Sequence, residues 1–173
     1  MWEDRLLDAE DFDQYNKTMV ASVKENFTDF QDSEVFAEPL IFTSFIDASK
    51  GHDASYRGIK DIDELRDCLE GYLADYNENV AAMDLVLFQQ AMEHIVRICR
   101  IIDQPSGHCL LVGVGGSGKQ SLSKVAAHIL GMEVFRIVVN TNYGMGDLKE
   151  DIKSAFTKAG AQGNKQLFIL TDG

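Results

Sequence analysis

The stretch Gly113-Val114-Gly115-Gly116-Ser117-Gly118-Lys119-Gln120-Ser121 decides the fold of this 173-residue chain. Its first seven residues match the phosphate-loop motif. Glycine has no β-carbon to keep a phosphate oxygen from the backbone, and it accepts the positive φ angles that turn consecutive N–H groups toward an anion. The lysine adds a full positive charge for the β- and γ-phosphates. The stretch therefore predicts a phosphate-binding loop whose nucleotide-contacting residues are Gly113, Val114, Gly115, Gly116, Ser117, Gly118, Lys119, Gln120 and Ser121.

The segments around this loop supply the context that the motif requires. The apolar run 108–113 is bounded by turn residues and is predicted to be a strand buried on both faces. Residues 120–130 have helical periodicity, and Gly131 is the predicted stop. A helix N-terminus carries free N–H groups and a partial positive charge, both of which favour a phosphate. A glycine-rich turn needed only for tight packing would not explain Lys119.

Strand and helix patterns alternate after the loop. A buried strand is predicted over residues 134–139, a third strand over the apolar run 167–172, and a helix over residues 147–159. Strands that alternate with helices indicate an α/β domain with a parallel sheet.

The part of the chain before the loop is predicted to be mostly helical. Apolar residues at steps of three and four predict helices over 11–30, 61–76 and 84–102. Residues 40–45 fit either a short strand or a buried helical turn, and residues 49–58 have the composition of a loop.

Two places in the sequence bear on magnesium binding and on hydrolysis, namely the residues after Lys119 and the end of the last predicted strand. The eighth motif residue is normally Ser or Thr, whose hydroxyl binds Mg²⁺, but here it is Gln120, and Ser121 follows. Ser121 would supply the hydroxyl only if the helix began one residue later. Asp172 ends the last predicted strand, where such enzymes hold the carboxylate on the Mg²⁺ side, although capping that strand is an alternative role. Gly173 stands where many ATPases have the glutamate that polarises water. We expect Asp172, Ser121 and Gln120 as the candidate metal ligands, and slow hydrolysis.

The formal net charge of −12 is concentrated in the first half of the chain. Residues 1–80 contain 7 basic and 20 acidic residues, a net charge of −13, and residues 81–173 contain 9 basic and 8 acidic residues, a net charge of +1. Nucleic-acid backbones are bound by clustered Lys and Arg, so we expect no nucleic-acid partner. The chain has neither an apolar run long enough to cross a bilayer nor a secretory signal, so we expect an intracellular protein without a membrane partner.

Several runs resemble one protein family. The run Leu110-Leu111-Val112-Gly113-Val114-Gly115-Gly116-Ser117-Gly118-Lys119-Gln120-Ser121-Leu122 closely resembles the fourth AAA+ module of axonemal dynein heavy chains, in which the Gln-Ser pair is characteristic. Asn142-Tyr143-Gly144 and residues 148–153 resemble the stretch that follows in that module. Residues 76–88 resemble the segment that lies near the adenine in that family. The resemblance is strong over residues 76–173 and weaker over residues 1–75.

This resemblance implies a truncated P-loop AAA+ parallel sheet with flanking helices over residues 76–173. A small helical lid of the third module is implied over residues 1–75. In that family the first strand pairs with the fourth and fifth strands, so residues 109–113 are expected to lack strand neighbours here.

The resemblance also implies a function. The fourth module is a regulatory site for ATP or ADP with Mg²⁺, and the parent protein is a minus-end-directed microtubule motor that bends cilia. The implied partners are neighbouring AAA+ modules, dynein intermediate and light intermediate chains, and microtubules. The implied location is the cytoskeleton of the ciliary axoneme. This module is expected to bind nucleotide rather than to hydrolyse it efficiently.

Two other functions stay open at this point. An independent P-loop kinase or ATPase needs a catalytic base and further strands, neither of which is visible in the sequence. A degenerate structural module would pack in a ring and bind no nucleotide. Steady ATP turnover would favour the first alternative, and a nucleotide affinity that Lys119→Ala does not change would favour the second.

Overall fold

A computed structural model describes residues 6–29, 35–36, 40–49 and 55–171 of the chain. The chain divides into two compact units, Met1–Leu40 and Ile41–Gly173. The described part of the first unit contains helix α1 (Ala9–Asn26). The second unit contains, in chain order, β1 (Ile41–Thr43), α2 (Phe45–Ser49), β2 (Arg57–Ile59), α3 (Ile62–Asn79), α4 (Gln89–Ile102), α5 (Lys119–Ile129), β3 (Glu133–Arg136), α6 (Met145–Phe156), a π-helical turn (Thr157–Ala161) and β4 (Gln166–Ile169). None of the described helices is both long and apolar enough to span a membrane.

Helix α1 has the predicted helical conformation but a smaller extent than predicted. It ends at Asn26 rather than at residue 30, and Phe27 is its C-cap, with an N–H that donates to Val23 O at 2.8 Å. None of its residues is buried, and Met19 in its apolar stripe is 39% exposed. Phe30, the last residue of the predicted stripe, lies outside the described residues.

A small antiparallel hairpin begins the second unit. β1 and β2 pair Ile41 with Ile59 and Thr43 with Arg57. The sequence left residues 40–45 open between a strand and a helical turn, and the structure has both, because α2 follows β1 directly. The loop predicted over residues 49–58 is wrong at Arg57 and Gly58, which belong to β2.

An ion-pair network explains the strand at Arg57. The Arg57 guanidinium donates to the Asp47 carboxylate at 2.9 and 3.0 Å and to Glu64 Oε1 at 3.3 Å. These partners come from α2 and α3, so the contacts connect β2 to both neighbouring helices. Contacts of this kind leave no periodic signal in the local sequence.

The start of α3 was predicted more accurately than the start of α4. Asp61 is the N-cap of α3, and its carboxylate accepts from the Asp63 N–H at 2.9 Å. The helix predicted over residues 84–102 is wrong for residues 84–88, because α4 begins only at Gln89. The Asn77 side chain binds both main-chain groups of Met83, with Met83 N to Oδ1 at 2.7 Å and Nδ2 to Met83 O at 3.2 Å. These two bonds hold the connection between the helices in an irregular conformation.

The core lies where α3, α4 and α5 meet. Helices α4 and α5 bury complementary apolar stripes, and α3 adds Leu65 and Leu69, both 0% exposed. The buried apolar residues of α4 and α5 are Ala91, Met92, Ile95, Val96, Ile98, Cys99, Ile102, Leu122, Val125, Ala126 and Ala127. Burial raises the pKa of the Cys99 thiol to about 12, so this thiol stays protonated. α5 ends at Ile129, and Gly131 has a φ of 63°, in agreement with the predicted stop.

The predicted parallel sheet is present in a small form. β3 and β4 run parallel, with Glu133 opposite Gln166 and Arg136 opposite Ile169, and α6 supplies the crossover between them. Both strands are shorter than predicted, and Leu170 beyond β4 is 75% exposed. The prediction that residues 134–139 form a buried strand is wrong, because Val138 is 78% exposed and Val139 is 73% exposed. The structure is therefore a mixed α/β fold with a small parallel sheet.

Residues 108–113 do not form the predicted buried strand. Leu110 is 88% exposed and Val112 is 86% exposed, and no strand pairs with this run among the described residues. An extended apolar run becomes a buried strand only when neighbouring strands accept its hydrogen bonds and helices cover its faces. The run therefore leads to the glycine-rich loop along the surface.

The core contact between α4 and α5 is tested by two identical substitutions. Val125→Ala removes a side chain that is 0% exposed, and Val86→Ala removes one that is 72% exposed. Urea denaturation should give a free energy of unfolding about 2 kcal/mol lower for Val125→Ala, because two buried methyl groups and their contacts are lost. For Val86→Ala the change should stay within about 0.5 kcal/mol. Equal losses for the two variants would contradict the described packing.

Candidate phosphate-binding site

The glycine-rich loop, residues 113–118, turns the chain from the exposed run into α5. The Ser117 N–H donates to Val114 O at 3.3 Å, and Gly116, the third residue of that turn, has a φ of 77°. Gly118 is the N-cap of α5 and has a φ of 78°. The left-handed region costs other residues roughly 1–2 kcal/mol. The predicted positive φ angles are thus present at two of the four glycines.

The N-terminus of α5 supplies free hydrogen-bond donors. The first hydrogen bond within the helix runs from Leu122 N to Gly118 O at 2.9 Å, so the N–H groups of Lys119, Gln120 and Ser121 have no acceptor within the helix. The first turn of α5 contains no acidic residue that would compensate the positive end of the helix dipole. An anion at this end would therefore be stabilised by both the donors and the dipole.

Lys119 lies folded back over the loop. Its ammonium group donates to Gly113 O at 2.6 Å, to Val114 O at 2.8 Å and to Ser117 Oγ at 3.2 Å. These acceptors are neutral, and Lys119 makes no ion pair among the described residues. Its positive charge is therefore held at the loop, and no carboxylate among residues 6–29, 35–36, 40–49 and 55–171 neutralises it.

Gly113 is needed for a close approach rather than for an unusual backbone angle. A β-carbon at this position would lie 3.1 Å from Ser117 Oγ and 3.7 Å from Lys119 Nζ. The first distance is shorter than ordinary van der Waals contact, so the Ser117 hydroxyl would have to move. The first glycine of the motif thus leaves room for the contact between Ser117 and Lys119.

The structure describes two of the three candidate metal ligands, Gln120 and Ser121. α5 begins at Lys119, so the later helix start that would allow Ser121 to replace the missing hydroxyl does not occur. Gln120 and Ser121 are both half-buried in the first turn. Asp172 lies outside the described residues, as does Gly173. Within the described ranges, no group of three His, Cys, Asp or Glu side chains is arranged to hold a metal ion.

The C-terminal end of α5 is anchored to α3. His128 Nε2 lies 2.7 Å from Asp75 Oδ2, and the His128 ring contacts the edge of Tyr76 with centroids 5.4 Å apart. Cys99 Sγ in α4 also lies 3.9 Å from Ala126 O. These contacts and the core fix the axis of α5, and so they fix the direction in which its N-terminus points.

A cleft that the sequence did not predict lies between the end of β3 and α6. This cleft has a volume of about 540 Å³ and contains none of residues 113–121. Inside it, the Tyr143 hydroxyl donates to Asp151 Oδ2 at 2.6 Å, and the Gly144 N–H donates to Asp147 Oδ2 at 2.8 Å. Partial burial of the phenol, followed by its hydrogen bond to Asp151, raises the pKa of Tyr143 to about 12. These polar groups of the cleft are therefore hydrogen-bonded to one another, and the Tyr143 phenol stays neutral.

The structure brings together most of the predicted site. Residues 113–121 form one continuous surface made of the loop and the first turn of α5. The contact between Lys119 and Ser117 was not predicted, because the sequence pattern does not say where the lysine side chain folds. The position of Asp172 relative to this surface stays a prediction.

Comparison with known proteins agrees with this arrangement. Residues 83–173 match the family described as the P-loop containing dynein motor region D4. The chain is 43% identical over 175 residues to the dynein beta chain of the flagellar outer arm of Chlamydomonas reinhardtii, and 44% identical over 176 residues to the alpha chain of the same arm. It is 42% identical over 172 residues to human dynein axonemal heavy chain 17.

Each of these alignments covers 99% of the chain and 4% of the relative. The chain thus spans about 4% of the length of these curated relatives. The match to the motor-region family extends over more than half of the chain and includes the glycine-rich loop. The chain belongs to the axonemal dynein heavy chain family, and its residues 83–173 belong to the motor region D4.

Proposed function

We propose that residues 113–121 bind the phosphates of ATP or ADP and that residues 76–173 form a regulatory nucleotide-binding AAA+ module. The observation that carries this proposal is the position of the Lys119 ammonium, held by Gly113 O and Val114 O beside the free N–H groups of α5. A full charge, a helix N-terminus and a glycine backbone open to close approach converge on one surface. Phosphate is the ligand that matches all three.

The supporting helices agree with a site of this kind. In the core, α5 packs against α4 and α3. The proposed phosphate-binding N-terminus of α5 therefore belongs to a rigid element rather than to a free loop. We propose that residues 76–88 lie near the adenine, and that residues 1–75 form a lid of the preceding module. The packing of α3 against the same core as α4 and α5 supports close contact between residues 62–75 of such a lid and the nucleotide module.

Hydrolysis by this module is proposed to be slow or absent. Gln120 takes the position at which a hydroxyl normally binds Mg²⁺, and the start of α5 at Lys119 makes the Ser121 hydroxyl a less favourable replacement. Asp172 is proposed as the carboxylate on the Mg²⁺ side, with Gln120 and Ser121 as weaker candidate ligands. Gly173 has no side chain for acid–base chemistry. These residues fit nucleotide retention better than rapid turnover.

The parent protein is proposed to be a microtubule motor of the ciliary axoneme. The relatives named above are two flagellar outer-arm chains and an axonemal chain. Neighbouring AAA+ modules, intermediate and light intermediate chains, and microtubules are then partners of the parent protein. Neither an independent kinase nor a self-contained ATPase is favoured by a specific contact in the described residues.

The phosphate site is tested by Lys119→Ala. A fluorescent ADP analogue titrated into the monomeric 173-residue chain should bind about tenfold to a hundredfold more weakly to this variant. The loss has this size because a charge-assisted contact to phosphate is removed. Lys124→Ala is the matched control, since Lys124 also lies on α5 but makes no contact with the loop among the described residues, and it should change the affinity by less than about threefold.

An affinity that is the same for wild type and Lys119→Ala would contradict the proposal. It would favour the alternative of a structural module that does not bind nucleotide. Measuring circular dichroism of each variant separates a lost contact from a lost fold.

The magnesium proposal is tested by Gln120→Thr. The wild-type chain should bind ADP with nearly the same affinity in Mg²⁺ and in EDTA, within about threefold, because its eighth motif residue has no hydroxyl. Gln120→Thr restores that hydroxyl and should make the affinity clearly higher in Mg²⁺ than in EDTA. Gln120→Val has nearly the shape of Thr without the hydroxyl and should behave like wild type. A strong Mg²⁺ dependence in the wild type would contradict the assignment.

A further inference from the structure

The three oxygens that accept hydrogen bonds from Lys119 differ in how readily an oxygen of a ligand can replace them. An ammonium group has three N–H donors, and each of them has an acceptor in the loop. The oxygens of Gly113 and Val114 belong to the main chain, so they can leave only if the backbone moves. Ser117 Oγ belongs to a side chain that can leave by rotation about a single bond.

The Ser117 contact is also the weakest of the three. Its distance of 3.2 Å compares with 2.6 and 2.8 Å for the two carbonyl oxygens. Ser117 is exposed, so water can solvate its hydroxyl after it leaves Lys119. A phosphate oxygen that binds Lys119 therefore displaces Ser117 Oγ and leaves the two carbonyl contacts in place.

We propose that Ser117 is an affinity-setting residue, whose hydroxyl competes with the phosphate of the nucleotide for the third N–H of Lys119. This inference rests on the proposed function, because it concerns the same site. Because of this competition, a ligand whose phosphate reaches Lys119 binds less tightly than it would without the Ser117 hydroxyl. It leaves the main-chain contacts that orient the lysine unchanged.

The competition discriminates between ligands by the number of phosphates they carry. The motif lysine serves the β- and γ-phosphates, so ADP and ATP must displace Ser117 Oγ. AMP has no phosphate at that position and does not compete with Ser117. A substitution that removes the hydroxyl should therefore change the affinity for ADP and leave the affinity for AMP unchanged.

The test compares four substitutions of Ser117 in the monomeric 173-residue chain, by titration with ADP and with AMP. Ser117→Ala and Ser117→Gly remove the hydroxyl and should tighten ADP binding about threefold to tenfold. Ser117→Thr keeps the hydroxyl and should stay within about twofold of wild type. Ser117→Asp places a carboxylate beside Lys119 and should weaken ADP binding by about tenfold. Ser117→Ala, Ser117→Gly and Ser117→Thr should each change the affinity for AMP by no more than about twofold.

The outcomes separate this inference from the proposed function. If the wild type binds no ADP, or if Lys119→Ala binds it equally well, the proposed function is wrong and the inference is wrong with it. If Lys119→Ala weakens binding but neither Ser117→Ala nor Ser117→Gly tightens it, only the role of Ser117 is overturned. An equal gain for AMP would also overturn it, because a general effect on loop flexibility would then explain the change.

Discussion

The burial of the apolar face of α5 is the contact on which the candidate site depends. Val125 and Ala126 are fully buried in the core, which fixes the helix axis and places its N-terminus at the end of the glycine-rich loop. Gly118, the N-cap of the helix, has no side chain that could accept from the N–H groups of the first turn, and the helix itself offers them no acceptor. Lys119 is the first residue of the helix, so its side chain can fold back over the loop. The chemistry at the surface follows from packing in the interior.

The phosphate surface could be predicted from sequence because its determinants are local. Four glycines, one lysine and an amphipathic helix lie in a single stretch, and each has a direct backbone consequence. The contacts that were missed join distant residues or depend on a rotamer. Asn77 holds Met83 outside α4, and Ser117 takes the third donor of Lys119. Periodicity predicts which face of a helix is apolar, but it does not predict side-chain partners.

The wrong predictions of buried strands share one physical cause. Apolar runs were interpreted as buried strands, but Leu110, Val112 and Val138 are mostly exposed. An apolar run indicates what a segment would bury if neighbouring elements covered it, and it carries no information about whether they do. β3 and β4 pair with each other in parallel, whereas residues 108–113 have no paired strand among the described residues. Strand identity therefore depended on long-range pairing that the local pattern does not contain.

A crystal structure of the chain with bound ADP would show directly where the phosphates lie. We expect the β-phosphate within hydrogen-bond distance of the α5 N-terminus and of Lys119 Nζ. Lys119 should keep its contacts with Gly113 O and Val114 O, and Ser117 Oγ should have left it. Finding ADP in the cleft beside Tyr143, with Lys119 still bound to Ser117, would contradict the account.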